Sequence, residues 1–209
     1  MSQTDPIVFI VDDDASVLKS LSRLLRSAKL NSVAFSSPQK FLDWYSPHIA
    51  GCLVLDVAMP GLDGLQLQQA LAAKDSEIPI IFLTGHGDIP MSVRAMKRGA
   101  IDFLTKPVND NDLLEAIRIA IERDRVSRQT RSELNDIRQR EATLTPRERE
   151  VMRCVISGAS NKRIARFLGI AEKTVKVHRG RVMEKIAVKS VAELVSLCRK
   201  AGILPTPVA

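Results

Sequence analysis

Five polar side chains stand just after short apolar runs. Asp12 and Asp13 follow Ile7–Val11, Asp56 follows 52–55, Thr84 follows 80–83, and Lys106 lies just past 101–104. Carboxylates that cluster repel one another, so a cation is expected among them. An oxygen-only set without His or Cys favours Mg2+, which keeps several waters and accepts a phosphate oxygen. An Asp carboxylate can also act as a nucleophile and become an aspartyl-phosphate. Phosphoryl transfer needs charge neutralisation and positioning more than covalent help. Mg2+ and the Lys106 ammonium would supply the charge, the Thr84 hydroxyl could donate to a phosphoryl oxygen, and Gly85 leaves room beside it.

These residues can cooperate only if the apolar runs place them at one edge. Runs of four or five apolar residues fit strands buried on both faces, here Ile7–Val11, 33–35, 52–55, 80–83 and 101–104. Between them Val17, Leu18, Leu21, Leu24, Leu25 and Ala28 keep helical spacing, and Leu113, Leu114, Ile117, Ala120 and Ile121 mark a fifth helix. Five such units predict a doubly wound, five-stranded parallel sheet over 1–121. In that fold ligands bind beyond the carboxyl ends of the strands, where strand order reverses.

After Ile121 the apolar stripe thins to Val126, Leu134 and Ile137, among charges of both signs and without Gly or Pro. This predicts a solvated helix over 122–142, continuous with the fifth helix, acting as a stiff linker. Residues 143–209 read as an all-helical domain. Thr145-Pro146-Arg147-Glu148 and Ser190-Val191-Ala192-Glu193 are capping boxes, and the tail from Pro205 is expected to fray. The 209 residues carry 45% hydrophobic, 26% charged and 4% aromatic side chains, an ordinary soluble balance. Net charge runs −3 over 1–121, +1 over 122–142 and +9 over 143–209. The basic end is the candidate for phosphate-backbone contact. Cys52, Cys154 and Cys198 are odd in number and widely spaced, which reads as reduced thiols in a cytoplasmic protein. No apolar stretch approaches the ~18 residues needed to span a membrane.

VDDD, LDVAMPGLDG, FLTGHGD and FLTKP, in this order, resemble the receiver domains of two-component response regulators over about 5–121. The resemblance implies a CheY-like sheet of order 2-1-3-4-5, with Asp56 phosphorylated by a sensor histidine kinase. It implies Mg2+ ligated directly by Asp13 and Asp56, through water by Asp12, and by the Ala58 carbonyl. Thr84 and Phe103 would be the switch pair and Lys106 the phosphate contact, with a cis Lys106–Pro107 peptide. Phe103 is often Tyr in such domains; a Phe can report the switch only by ring packing. The Gly85-His86-Gly87-Asp88 stretch points to the FixJ branch. Asp14 is expected simply to cap the first helix, Asp63-Gly64 to be a plain turn, and His86 to be a solvated loop residue; His48 carries no signal.

In the basic domain, 160–168 reads as a short helix broken at Gly169, and Glu172–Ile186 as the next, a helix-turn-helix pattern. Val175, Val182 and Ile186 share one face of the second helix, while Lys173, Lys176, Val177, Arg179 and Arg181 occupy another. Lys or Arg in the major groove can read guanine edges and Val can touch thymine methyls. Lys162 and Arg163 suit phosphates. LTPREREV followed by SNKRIARFLGIAEKTVKVHRGRVMEKI resembles the LuxR/FixJ-type DNA-binding domain over about 143–201. That resemblance implies Thr174, Lys176, Val177 and Arg179 at double-stranded DNA, and the last helix as a dimer contact. Ala171 departs from the usual Ser cap, a local cost of about 0.5–2 kcal/mol. Gly180 gives up one possible contact, and His178 is expected to pack inward.

Together these readings give a NarL/FixJ-type response regulator. Phosphorylation would pair receivers through the face built by the fourth helix, fifth strand and fifth helix, and a homodimer would bind DNA and work with RNA polymerase. It would not be an enzyme beyond self-phosphorylation and autodephosphorylation at Asp56. Two other readings compete with this one. Asp12-Asp13-Asp14-Ala15-Ser16 superficially matches the start of a haloacid-dehalogenase-like phosphohydrolase, but Lys106 follows Gly87-Asp88 in the wrong order and no cap domain is visible. A receiver-like protein that binds DNA without phosphorylation is disfavoured by the intact acid cluster. Basic amphipathic helices can also bind membranes or acidic proteins; the capped, Gly-turned spacing favours DNA.

Overall fold

A computed structural model describes residues 5–85 and 89–208. The chain divides into two compact units, Met1–Arg128 and Gln129–Ala209. The reading of His86 and the His86-Gly87-Asp88 part of the branch signature lie outside the described residues.

In the first unit β1 (Ile7–Val11), β2 (Asn31–Phe35), β3 (Gly51–Leu55), β4 (Ile80–Thr84) and β5 (Asp102–Thr105) alternate with helices. These are α1 (Ala15–Ser27), α2 (Pro38–Trp44), α3 (Gly64–Ala73), α4 (Ile89–Lys97) and α5 (Asp110–Ala142). Every strand pairing is parallel and the order is β2-β1-β3-β4-β5, the doubly wound, CheY-like arrangement expected. Successive strand side chains point to opposite faces. Phe9, Val11, Leu53, Leu55 and Phe82 therefore pack with Phe41, Leu67, Leu71 and Ala95 of α2, α3 and α4. Val8, Ile10, Val54, Ile81 and Leu83 pack with Leu21 and Leu25 of α1 and Leu113, Ala116, Ile117 and Ala120 of α5. At roughly 1.5–3 kcal/mol per buried large apolar side chain, these two layers outweigh helix propensity in placing the helices.

β2 starts two residues before the apolar run over 33–35. Asn31 pairs with Ile7 through the main chain while its side chain stays in solvent, as an edge strand permits. α5 runs unbroken over 33 residues, in line with a helical 122–142.

The second unit contains α6 (Pro146–Ile156), α7 (Asn161–Leu168), α8 (Glu172–Ile186) and α9 (Val191–Lys200) around Val151, Val155, Ile164, Val175, Val182, Ile186 and Leu194. The first capping box forms, Thr145 and Glu148 bonding reciprocally at 2.9 and 3.3 Å. The second is only half made: Ser190 accepts the Glu193 N–H at 3.1 Å, while the Glu193 carboxylate reaches one residue further back and accepts the Lys189 N–H at 2.8 Å. Gly169, at φ 66°, supplies the left-handed residue that ends α7. Ala171 stands at the α8 cap with no side-chain bond. The tail does not fray as expected. Thr206 N–H donates to the Arg153 carbonyl at 3.1 Å, Arg163 donates to the Val208 carbonyl, and Val208 is buried in the core. Burying that one valine gives the tail its anchor.

Candidate functional site

Strand register builds the acidic rim. Val11 and Leu55 are paired across β1 and β3, so Asp12 and Asp56 leave neighbouring strands at the same level. The Asp56 N–H donates to the Val11 carbonyl at 2.9 Å. Thr84 ends β4 opposite Thr105, and the Lys106 N–H donates to the Thr84 carbonyl at 2.8 Å. The Lys106–Pro107 peptide is cis. Behind Asp56 the backbone of α3 comes very close: a Cβ at Gly64 would lie 2.3 Å from the Asp56 carbonyl oxygen.

The side chains then converge. Lys106 Nζ lies 2.6 Å from Asp12 Oδ2 and 3.3 Å from Asp56 Oδ1. The longer contact is an ion pair without hydrogen-bond alignment, and Asp56 Oδ1 is buried with no hydrogen-bond partner. Ligand oxygens of Asp12, Asp13 and Asp56 all lie within 4.8 Å of one another. A hard divalent cation among them would be held by these oxygens directly or through water. The oxygen-only donors, with a buried Asp56 oxygen that makes no hydrogen bond, fit a hard divalent cation. Burial pushes the Asp56 carboxyl up, Lys106 pulls it down and Asp12 pushes it up again, with a net rise. Burial works against the Lys106 ammonium, but the hydrogen bond and charge of Asp12 and the charge of Asp56 prevail and hold it raised. A charge added at this rim therefore changes the balance of every group in it.

Thr84 is fully buried behind the rim. Phe103 is half-buried, its ring centroid 6.0 Å from that of Phe82 at 40°. Ala58 is exposed just past Asp56. Asp14 caps α1, accepting the Ser16 N–H at 2.7 Å, and its bonds to Ser16 hold its carboxyl below the usual range. Asp63 is more than a plain turn residue: with Gln66 it forms the capping box of α3, which sets Gly64 against Asp56.

In the second unit Lys162, Lys173, Thr174, Lys176, Val177 and Arg181 are exposed. Lys173, Lys176, Val177 and Arg181 follow spacings of three, four and eight, so they share one face of α8. Val177 is 48% exposed, which leaves its methyls free for an apolar contact. Nothing lies within 4 Å of a Cβ at Gly180 on this face. Arg179 sits at the inner edge instead, its guanidinium donating to Asn161 Oδ1 at 3.0 Å. Arg163 is exposed but gives one donor to the tail. His178 is half-buried with Nδ1 shut away from solvent. One network was not visible in the sequence pattern: Glu148 Oε2 also accepts Lys185 Nζ at 2.7 Å, tying α6 to α8. No helix among the described residues is long and apolar enough to cross a membrane, and all three cysteines are buried and free.

Residues 8–118 match the response regulator receiver domain family, and 142–198 match the luxR family of bacterial regulatory proteins. Nodulation protein W of Bradyrhizobium diazoefficiens is 48% identical over 202 residues, covering 97% of this chain and 89% of that protein. The transcriptional regulatory protein FixJ of the same species is 44% identical, covering 94% and 96%. Among solved structures, the response regulator StyR superposes with TM-score 0.86 at 48% identity, covering 94% of this chain and all of that one. Full-length FixJ from B. japonicum superposes at 0.57 and 43% identity, covering 97% and 100%. The two family matches sit one on each compact unit, and the chain therefore belongs to the NarL/FixJ family of two-component response regulators, transcription regulators with a receiver and a LuxR-type DNA-binding domain.

Proposed function

We propose that Asp56 is the phosphoacceptor and that its phosphorylation by a sensor histidine kinase drives receiver pairing and sequence-specific DNA binding. In this reading 1–121 is the receiver, 122–142 the linker and 143–209 the DNA-binding domain. The observation that carries it is the approach of Lys106 to both Asp12 and Asp56 at one rim, 2.6 and 3.3 Å away, beside Asp13. An Asp56 carboxylate oxygen attacks the phosphorus of a phosphohistidine; the P–O bond forms, the P–N bond breaks, and the imidazole takes a proton. Bound by Asp13, Asp56 and the Ala58 carbonyl, with Asp12 acting through water, Mg2+ would neutralise charge on the transferred group. Lys106 neutralises the remainder, and the Thr84 hydroxyl donates to a phosphoryl oxygen. A phosphoryl group puts about −1.5 to −2 charges where the Asp56 carboxylate carried about −1, and moves that charge outward onto three oxygens, which draws Thr84 and Lys106 inward and lets the Phe103 ring repack. Beyond self-phosphorylation and autodephosphorylation at Asp56 the protein is not an enzyme.

The pairing face is the one built by α4, β5 and α5. Ile89, Val93 and Met96 of α4 stay 79%, 44% and 43% exposed, an apolar strip that a second receiver could cover. A two-fold dimer would set two DNA-binding domains on adjacent half-sites, raising the effective concentration of the second. The contacts would come from Lys162, Arg163, Lys173, Thr174, Lys176, Val177, Arg179 and Arg181, with RNA polymerase as a further partner. The experiment is a gel shift of the full chain against genomic fragments, with and without acetyl phosphate and Mg2+, over a salt series. Acetyl phosphate should tighten binding by the native protein but not by Asp56→Asn, and log K should fall with slope about −0.9 per neutralised phosphate. Equal tightening of Asp56→Asn would overturn the reading.

A further inference from the structure

Past the apolar stripe of α5, two charged residues turn back onto the sheet, Asp124 buried and Arg128 partly buried. Asp124 is 2% exposed although charges flank it in sequence. Its Oδ2 accepts the Gly51 N–H at 2.9 Å and Arg128 Nε at 2.7 Å. The rest of the Arg128 guanidinium donates to the loop before β3: Nη1 to the His48 carbonyl at 3.1 Å, and Nη2 to those of Pro47 and Ile49 at 3.1 and 2.6 Å. A guanidinium offers five N–H donors in a rigid fork, and this geometry uses most of them on one short segment. Gly51 is the first residue of β3. A Cβ there would lie 1.8 Å from the Ile7 carbonyl oxygen, so the root of β3 is held between β1 and the Asp124–Arg128 pair.

β3 runs from that root directly to Asp56, and α5 continues from Arg128 to Ala142. One strand thus has the phosphoacceptor position at one end and the connecting helix bonded to the other. A short, highly charged helical segment is marginal in water on its own, so the part of α5 leaving the sheet needs a fixed point. We propose that Asp124 and Arg128 are positioning residues. They anchor the connecting helix to the root of the strand that carries Asp56, so that a change at Asp56 is passed to the helix. The passing-on rests on Asp56 being the phosphoacceptor; the anchoring does not.

The test uses full-length Asp124→Asn, Arg128→Lys and the double variant. Asn keeps an acceptor for Gly51 but loses the charge; Lys keeps a charge but lacks the fork. Amide hydrogen exchange over 122–128 and at Gly51 reports the anchor. Transmission is read as the ratio of DNA affinities with and without acetyl phosphate, on a fragment selected from a random pool by the native protein. Exchange over 122–128 should quicken by roughly 10-fold or more in each single variant. The double should match the singles within about 2-fold, because the two residues act as one unit. Asp56 phosphorylation should be unaltered, while the affinity ratio, of order 5–150-fold for a coupled regulator, falls toward one. A merely structural role would lower the melting temperature and leave that ratio unchanged. Unaltered exchange over 122–128 overturns the anchor, and faster exchange with an unaltered ratio overturns the transmission. A native protein with no acetyl phosphate response would instead refute the reading of Asp56, and the exchange comparison would still decide the anchor.

Discussion

Glu148 carries a stability prediction whose size follows from the structure. It is 2% exposed, accepts the Thr145 N–H at 2.9 Å and Lys185 Nζ at 2.7 Å, and the Lys185 bond is the main cause holding its carboxyl at about 2 instead of 4.5. A folded pKa below the unfolded one contributes stability that is complete above about 4.5 and lost as pH falls toward 2. The full shift would be worth about 3 kcal/mol. The Lys185 side chain is 35% exposed, and screening there reduces the figure to about 1–2 kcal/mol. Glu148→Gln keeps an acceptor for the capping box and loses the charge. It should therefore destabilise the second unit by about 1–2 kcal/mol at pH 7, and a loss of this size lowers Tm by about 4–16 °C in a small domain. The gap should close as pH approaches 2. Trp44 and Tyr45 are the single Trp and Tyr, so Trp fluorescence follows the first unit alone while far-UV circular dichroism follows both. A gap of constant size from pH 7 to pH 3, or one visible in Trp44 fluorescence, would refute this reasoning.

Three further outcomes follow. Lys106→Met leaves Asp12 and Asp56 buried without their cation, which should cost about 3–5 kcal/mol less whatever solvent screens; Mg2+ should then raise the Tm of the variant more than that of the native protein. Gly64→Ala places a methyl 2.3 Å from the Asp56 carbonyl oxygen, so it should destabilise the first unit by about 1–3 kcal/mol and slow labelling by acetyl phosphate, measured as phosphoprotein formed against time. Removing residues 206–209 takes away the buried Val208 and the acceptor of Arg163, and should destabilise the second unit by about 1.5–3 kcal/mol in calorimetry.

The sheet was legible because fully buried parallel strands have to be apolar runs, and because β3 and β4 are buried along their whole length. The acidic rim was legible for a related reason: register carries the residue after each strand to the same edge, so position along the sequence already encodes proximity. Capping residues were readable too, since Thr145, Ser190 and Asp14 act within their own turn. What escaped acts across distance through side chains whose types look solvated. Asp124 and Arg128 keep the i, i+4 spacing of an ordinary exposed ion pair, and nothing in their neighbourhood marks the loop 46–51 that they bond. The sequence marks Glu148 as a cap, but its partner Lys185 lies on another helix. The tail's anchoring is hidden because Pro205 and Pro207 suggest irregular chain, and an irregular segment can still bury Val208. Asp63-Gly64 looks like a turn in sequence, while the packing of Gly64 depends on the backbone of Asp56 directly behind it.

The most direct test of the central claim is intact-mass analysis of the full chain after incubation with acetyl phosphate, with Mg2+ and with the metal chelated. One phosphoryl group should appear only with Mg2+, map to Asp56, and be absent in Asp56→Asn. Labelling without a divalent cation, or undiminished labelling of Asp56→Asn, would contradict a metal-assisted phosphoacceptor at the rim formed by Asp12, Asp13, Asp56 and Lys106.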